Sequence, residues 1–423
     1  MHSGPDAAAV VREALRRDDV DLSSGPLGEH WHRPRELLVH AADYGSVADS
    51  GSVAASLSRW GAEERPLPPA LKARGFPVRR FAVNLPSPDD LVRVLRQPTP
   101  TGPEPRVSLN HLMGAHKPIP MNPLKASVGR PEPIPANSVP VGTPGEPGTA
   151  VRVGVIDTGF AAEGAGLPTW AAGRVQLRPG GVDRDPLDTN PTDGRLDHAD
   201  GHGTFVTSLV LQAAPHASVV CRRVLDSGIA DELTVAEAML DLREAGCTIL
   251  NLSFGGYTLD DAPPVAMTAA LDMISADQRA GFGRNNTVVV AAAGNYGRRR
   301  IVWPAAHDDV LAVAALEADG SDGTQASGVP DWTDRGWWVD ACTQGVDLRG
   351  YFVTFTESGK GGEQFTGAAR WSGTSFATAW LSGQIAHALS GRPPDTPVRQ
   401  VAAELLAQGP FIPELGYRVA GQQ

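Results

Sequence analysis

Five short apolar runs in the second half of the chain constrain its fold more than any other feature: VRVGVI (151–156), SVVCRRV (218–224), TILNL (248–252), TVVVAAA (287–293) and VLAVAAL (310–316). Each is nearly continuous in Val, Ile, Leu and Ala instead of alternating with polar residues, the pattern of a strand covered on both faces. Helix-like stretches such as ELTVAEAMLDLREAG (232–246) lie between them. Buried strands alternating with helices make a parallel sheet with helices on either side, so the expected fold class is α/β with a doubly wound, mostly parallel sheet. In such sheets reactive groups gather beyond the carboxyl ends of the strands.

At 423 residues the chain is long for one core, and a proline- and glycine-rich run over 118–149 divides it. The expected domains are a small α+β domain over 1–117, a linker over 118–149 and the doubly wound domain over 150–423. The first domain offers an amphipathic helix in DAAAVVREALRRDD (6–19), strands at 36–41, 76–85 and 106–111, and a helix near 53–60. A further helix is capped by Ser87, with Pro88 first and Asp90 third.

A net charge of −11, with basic residues scattered apart from Arg298, Arg299 and Arg300, argues against a nucleic-acid partner. The first thirty residues show no apolar signal core, and no later run reaches the roughly 18 apolar residues of a membrane span, so no membrane partner is expected. Cys221, Cys247 and Cys342 are odd in number and widely spaced, which fits neither a disulfide framework nor a zinc pattern. Cys221 and Cys247 fall in strand-like runs and read as core residues, and a cytoplasmic location is expected.

The ends of the apolar runs carry the chemistry. Asp157 follows the first, where it could orient another side chain, serve as a turn residue before Thr158-Gly159, or act as a nucleophile in phosphoryl transfer. His202 begins a helix between Gly201 and Gly203. His198 and His202 share an i, i+4 spacing, but the Glu of HExxH is missing and "ADG" would break the helix that zinc binding needs, so no metal is expected there. Asp193, Asp197 and Asp200 read as a solvated loop. Asn295 ends the fourth run, either as a turn residue or as an amide that can donate to a developing oxyanion. RWSGTSFATAWLSGQIAHALSG (370–391) reads as one buried helix with Ser375 near its start, where a hydroxyl could equally be a cap.

Taken together and in order, "DTG", "HGT", "AAGN" and "SGTSFATA" resemble the subtilisin-like serine protease family, over about residues 145–410. The resemblance implies a triad in which Asp157 orients His202, His202 takes the proton of Ser375, and Asn295 and the Ser375 N–H hold the oxyanion. It further implies that LNLSFGG (250–256) is the edge on which a polypeptide substrate pairs, through Ser253, Phe254 and Gly255. Gly228, Ile229 and Ala230 are implied on the opposite side of the cleft, Ala293 and Gly294 among the substrate-binding residues, and Tyr296 at the wall of the S1 pocket. No metal or cofactor is implied for the reaction. A catalytically silent peptide-binding protein on the same scaffold is the alternative.

The chain departs from the family pattern in two places. Ala379 stands where a proline is usual, and the segment after "HGT" is too short for the loop that often binds calcium, so no calcium is expected there. Arg298, Arg299 and Arg300 follow the oxyanion Asn and read either as a solvated cluster or as a wall favouring acidic P1 residues. Residues 36–116 resemble the family's propeptides only in element order and position, and a regulatory or recognition domain that stays attached is the competing reading. The segment 106–123 is expected to pair with Ser253–Gly255, bringing Met113 to His116 near Ser375 as a possible intramolecular inhibitor.

Overall fold

The computed structural model describes residues 19–85, 88–98, 103–115, 129–140, 151–161, 167–189, 192–197, 199–279, 287–318 and 328–422. The helix expected over 6–19 lies almost wholly outside them.

The first domain is an antiparallel sheet in the order Glu63–Arg65, Val78–Ala82, Gly28–His40, Val107–Gly114, with Asp21–Gly25 hairpinned onto Gly28–His40. Side chains alternate across a strand, and Gly28–His40 uses both faces. Leu37 and Val39 pack with Phe81, Leu91 and Leu109 beneath the helices Val53–Arg59 and Pro88–Leu95. Leu38 points the other way, into a core shared with the second domain.

The second domain is built on a nine-stranded sheet. Its order is Phe411–Ile412, Gly416–Arg418, Ala341–Gln344, Val310–Leu316, Val288–Ala292, Ile249–Leu252, Arg152–Asp157, Ser218–Arg223 and Val175–Gln176, and every neighbouring pair but the first is parallel. The helices His202–Ala213 and Thr374–Leu389 pack on one face through Phe205, Leu209, Phe376 and Leu381. Glu232–Glu244 and Val265–Arg279 cover the other. The fold is therefore α/β and doubly wound, as the buried runs require. Cys221, Cys247 and Cys342 are free and buried, and among the described residues no helix is long and apolar enough to cross a membrane.

Two expectations change. The stretch 370–391 is not one helix: Arg370 and Trp371 end the strand Gln364–Trp371, extended Gly373 makes the break, and the helix starts at Thr374. Nor is 118–149 wholly a free linker. Glu132–Pro133 adds an antiparallel strand to the hairpin of Leu348–Thr356 and Gln364–Trp371, Val139 is buried, and Arg130 pairs with the buried Glu357. Proline is tolerated there because the strand lies at a sheet edge.

The two domains share a sheet. Val107–Gly114 pairs on its far side with Ile229–Asp231 of the second domain. Arg33 donates to Asp231 at 3.1 and 2.9 Å, and Arg300 donates at 2.9 Å to the Glu29 carbonyl. At the centre of the contact His111 meets Glu232, both fully buried, with Nδ1 2.8 Å from the carboxyl. The Leu259 N–H donates to Nε2 of His111 at 3.0 Å, so that nitrogen carries no proton. Burial pushes the Glu232 carboxyl up to about 8 and drives His111 well below its usual range, so the imidazole is neutral.

Candidate active site

Asp157 closes the strand Arg152–Asp157, on one side of which the chain adds Ser218–Arg223 and on the other the series from Ile249–Leu252 outward, so the strand order reverses here, the switch point at which such folds place their sites. His202 is the first residue of its helix, and its Nδ1 lies 2.7 Å from Oδ1 of Asp157. Both are buried, at 0% and 1% exposure. A carboxylate oxygen can only accept, so the contact puts the imidazole proton on Nδ1 and leaves Nε2 as the base. Trp371 and Phe376 pack on the ring at centroid distances of 5.6 and 5.3 Å and fix its plane.

The turns bearing these two residues touch so closely that only glycine fits: a Cβ on Gly203 would lie 2.2 Å from the Gly159 carbonyl. A second acid, Asp185, ties the turns together. Thr158 Oγ1 donates to its Oδ2 at 2.7 Å, the Gly201 N–H donates to the same oxygen at 2.9 Å, and the Gly203 N–H donates to Thr158 Oγ1 at 3.0 Å. Burial pushes Asp185 up to about 7, helped by the neighbouring Asp200. No motif marks this clamp, because Asp185 lies in an acidic stretch without pattern. That stretch is also less solvated than expected: Asp200 accepts from the Asp188 and Asp197 N–H groups, and burial pushes it up to about 6. His198 lies outside the described residues.

Ser375 sits in the first turn of Thr374–Leu389, where its N–H has no carbonyl four residues back to bond and the helix dipole is positive. Its hydroxyl donates to the Ser253 carbonyl at 2.9 Å, so its one proton is directed at the substrate edge and must leave that carbonyl before His202 can take it. The Ser253 hydroxyl in turn donates to the Ser375 carbonyl at 2.8 Å, locking helix to strand. Asn295 is oriented without ambiguity. The Thr374 N–H can only donate, and it meets Oδ1 at 2.9 Å, with the Thr374 hydroxyl also 2.9 Å away. The Nδ2 donor of Asn295 therefore turns from Thr374 toward the cleft it lines beside Ser375.

The substrate edges are already paired. Gly114 and Gly255 exchange two hydrogen bonds of 3.0 Å, Ala115 donates to the Gly228 carbonyl at 3.1 Å, and Met113 and Gly114 stand opposite Ala230 and Ile229. The last residues of the first domain thus lie as a strand between both edges. The approach is close: a Cβ on Gly256 would lie 2.8 Å from the Leu112 carbonyl. Gly114 and Ala115 line one small pocket with Phe254, Gly294, Tyr296 and Ser375. Ala293 is not part of it, being buried with its N–H bonded to the Val313 carbonyl, whereas Ala292, Val302 and Thr374, which the motifs did not single out, are. None of the three arginines lines the pocket. Arg299 pairs with Glu414 at 2.7 Å, and Arg300 pairs with Asp261 at 2.7 Å while covering the Tyr257 ring at 4.1 Å, so the acidic-P1 wall has no support.

A buried acid–imidazole pair, a hydroxyl at a helix N-terminus, an oriented amide and two strand edges can together bind an extended peptide, attack a carbonyl and hold the resulting oxyanion. The sequence profile of the subtilase family matches residues 148–408. The chain is 27% identical to a thermophilic serine proteinase of Bacillus sp. (strain AK1), over 48% of this chain and 44% of that protein. It is 30% identical to subtilisin DY of Bacillus licheniformis, over 44% of this chain and 66% of that protein. The matches thus span about half to two thirds of these relatives. Among solved structures, fervidolysin from Fervidobacterium pennivorans, a keratinolytic enzyme related to subtilisin, aligns over 92% of this chain and 60% of its own at 17% identity, with a TM-score of 0.59.

Proposed function

The chain belongs to the subtilase family, and from that membership we propose that it is a serine endopeptidase acting through Asp157, His202 and Ser375 and an acyl-enzyme intermediate. One observation carries the reading: His202 is held at 2.7 Å by Asp157 in the tautomer that makes Nε2 a base, on the same sheet edge as a serine at a helix N-terminus. His202 takes the Ser375 proton as Oγ attacks the scissile carbonyl, and returns it to the leaving amine. Asn295 Nδ2 and the Ser375 N–H receive the negative oxygen. A fluorophosphonate probe tests this: it should label wild type at Ser375, and label neither Ser375→Ala nor His202→Ala appreciably. Wild-type protein that stays unlabelled both whole and after cutting near residue 116 and dilution would leave a silent peptide binder as the reading.

The finer reading is that the first domain restrains the protease until the chain cuts itself just beyond Ala115. Its support is the strand Leu112–Ala115 lying between both substrate edges, where a substrate must lie. Wild type should therefore yield a fragment ending near residue 116, while Ser375→Ala stays whole, as intact-mass measurement would read. A reducing, cytoplasmic setting is part of the same reading, supported by three cysteines that are free and buried; cell fractionation tests it.

A further inference from the structure

A second cluster of ligating side chains lies in the first domain, away from the catalytic groups. His30 and His32 stand two apart on Gly28–His40, so they leave the same face of the strand. Asp89 reaches them from the first turn of the helix Pro88–Leu95. All three are buried, at 1%, 0% and 5% exposure, where polar groups are unfavourable unless fully partnered. One ligand atom from each lies within 4.8 Å of the others.

Hydrogen bonds alone do not satisfy this group. Nδ1 of His32 meets the Arg33 carbonyl at 3.0 Å, which fixes its proton there and turns the Nε2 lone pair toward Ser23 and Asp89. A ring nitrogen tied to a backbone carbonyl is the usual support of a metal-binding imidazole. Nε2 of His30 lies 3.1 Å from Oδ2 of Asp89 but off the line of a hydrogen bond, and it has no hydrogen-bond partner among the described residues. The Ser23 hydroxyl lies 2.9 Å from Nε2 of His32 and 3.1 Å from Oδ1 of Asp89, with one proton for two acceptors.

We propose that His30, His32 and Asp89 bind a divalent transition metal, zinc by their chemistry, with the Ser23 hydroxyl or a water as fourth ligand. Two imidazoles and a carboxylate suit zinc, whereas calcium and magnesium prefer all-oxygen shells. Bond lengths of about 2.0–2.2 Å put tetrahedral ligand atoms about 3.3 Å apart, so the side chains close by at most about 1.5 Å on binding. Ser23 is only half-buried, which gives the ion a way in. The ion would tie the first hairpin to the helix Pro88–Leu95, next to His111, whose ring lies 6.0 Å from that of His30 and bonds Glu232 across the domain contact. The site does not depend on the protease reading.

The test uses the full-length chain carrying Ser375→Ala, stripped with chelator and titrated with zinc against a chromophoric competitor, then with cobalt(II) while the visible spectrum is recorded. One zinc per chain and an intense, tetrahedral-type cobalt spectrum are expected, with zinc raising Tm. His32→Ala and Asp89→Asn should each weaken zinc binding about 100-fold or more and abolish the Tm rise. Zinc uptake far below one per chain, a faint octahedral-type cobalt spectrum, or affinity unchanged in folded variants would overturn the site. The cobalt spectrum is read with all three ligands intact, so it decides the matter even if the variants fail to fold.

Discussion

Asn295 owes its aim to a neighbour, since the Thr374 N–H holds its carbonyl oxygen and leaves Nδ2 for the cleft. Asn295→Ala removes a donor that matters in the transition state, so kcat should fall about 10²–10³-fold with KM little changed, the range measured for the matching amide in subtilisin, a protease of this same family. A change confined to KM in peptide hydrolysis would count against the role. Asp185 acts one step further back, on the turns that carry Asp157 and His202. Its folded pKa of about 7 stands above the unfolded value of 3.8, so the folded state binds its proton more tightly and this residue's contribution to stability declines as pH rises between those values. Asp185→Asn should flatten that decline in a series of melts from pH 4 to 7. At low pH it should cost at most about 1 kcal/mol, because the amide oxygen can keep both bonds that Oδ2 accepts from Thr158 Oγ1 and the Gly201 N–H, and only the long 3.4 Å contact of the Leu187 N–H faces the nitrogen. A pH profile identical to wild type would show that Asp185 does not titrate in this range.

The central strands were legible because they are buried on both faces and so keep an almost unbroken apolar sequence. The hairpin Leu348–Thr356 with Gln364–Trp371 was not, because one of its faces is partly exposed and its strands carry Arg349, Gly350, Gly367 and Arg370 among the apolar residues. The same burial that made strands easy to read hid the start of the helix Thr374–Leu389: Trp371 is buried like Thr374 and the residues after it, and only Ser372 and the extended Gly373 separate strand from helix. The catalytic motifs were readable as local strings. The Asp185 clamp and the His30–His32–Asp89 group were not, since Asp185 and Asp89 reach their partners from distant segments and a His pair two apart on a strand marks no site by itself. Contact between the "DTG" and "HGT" turns gives a test at this scale. Gly203→Ala places a methyl 2.2 Å from the Gly159 carbonyl, so the two turns must part. Activity should fall at least about 10²-fold, since misplacement by about 1 Å is that damaging, and Tm should drop as well. Near-normal turnover in Gly203→Ala would show that the turns can separate without disturbing the triad.

At the scale of the whole molecule, one strand joins two domains by pairing on each side, and no covalent link other than the chain itself holds it there. While that chain is whole, the strand is present at an effective concentration of about a millimolar, whatever the concentration of protein. A cut just beyond Ala115 leaves the hydrogen bonds in place but changes the order of the equilibrium, from a unimolecular opening to a bimolecular dissociation governed by mass action. On the proposed self-processing, the cut protein would sense its own dilution: concentrated, it would stay capped, and dispersed, it would uncap. Turnover per molecule of a freshly processed sample should rise as it is diluted over about a thousandfold and approach a plateau, whereas a flat series would mean that the severed domain leaves at once or never leaves.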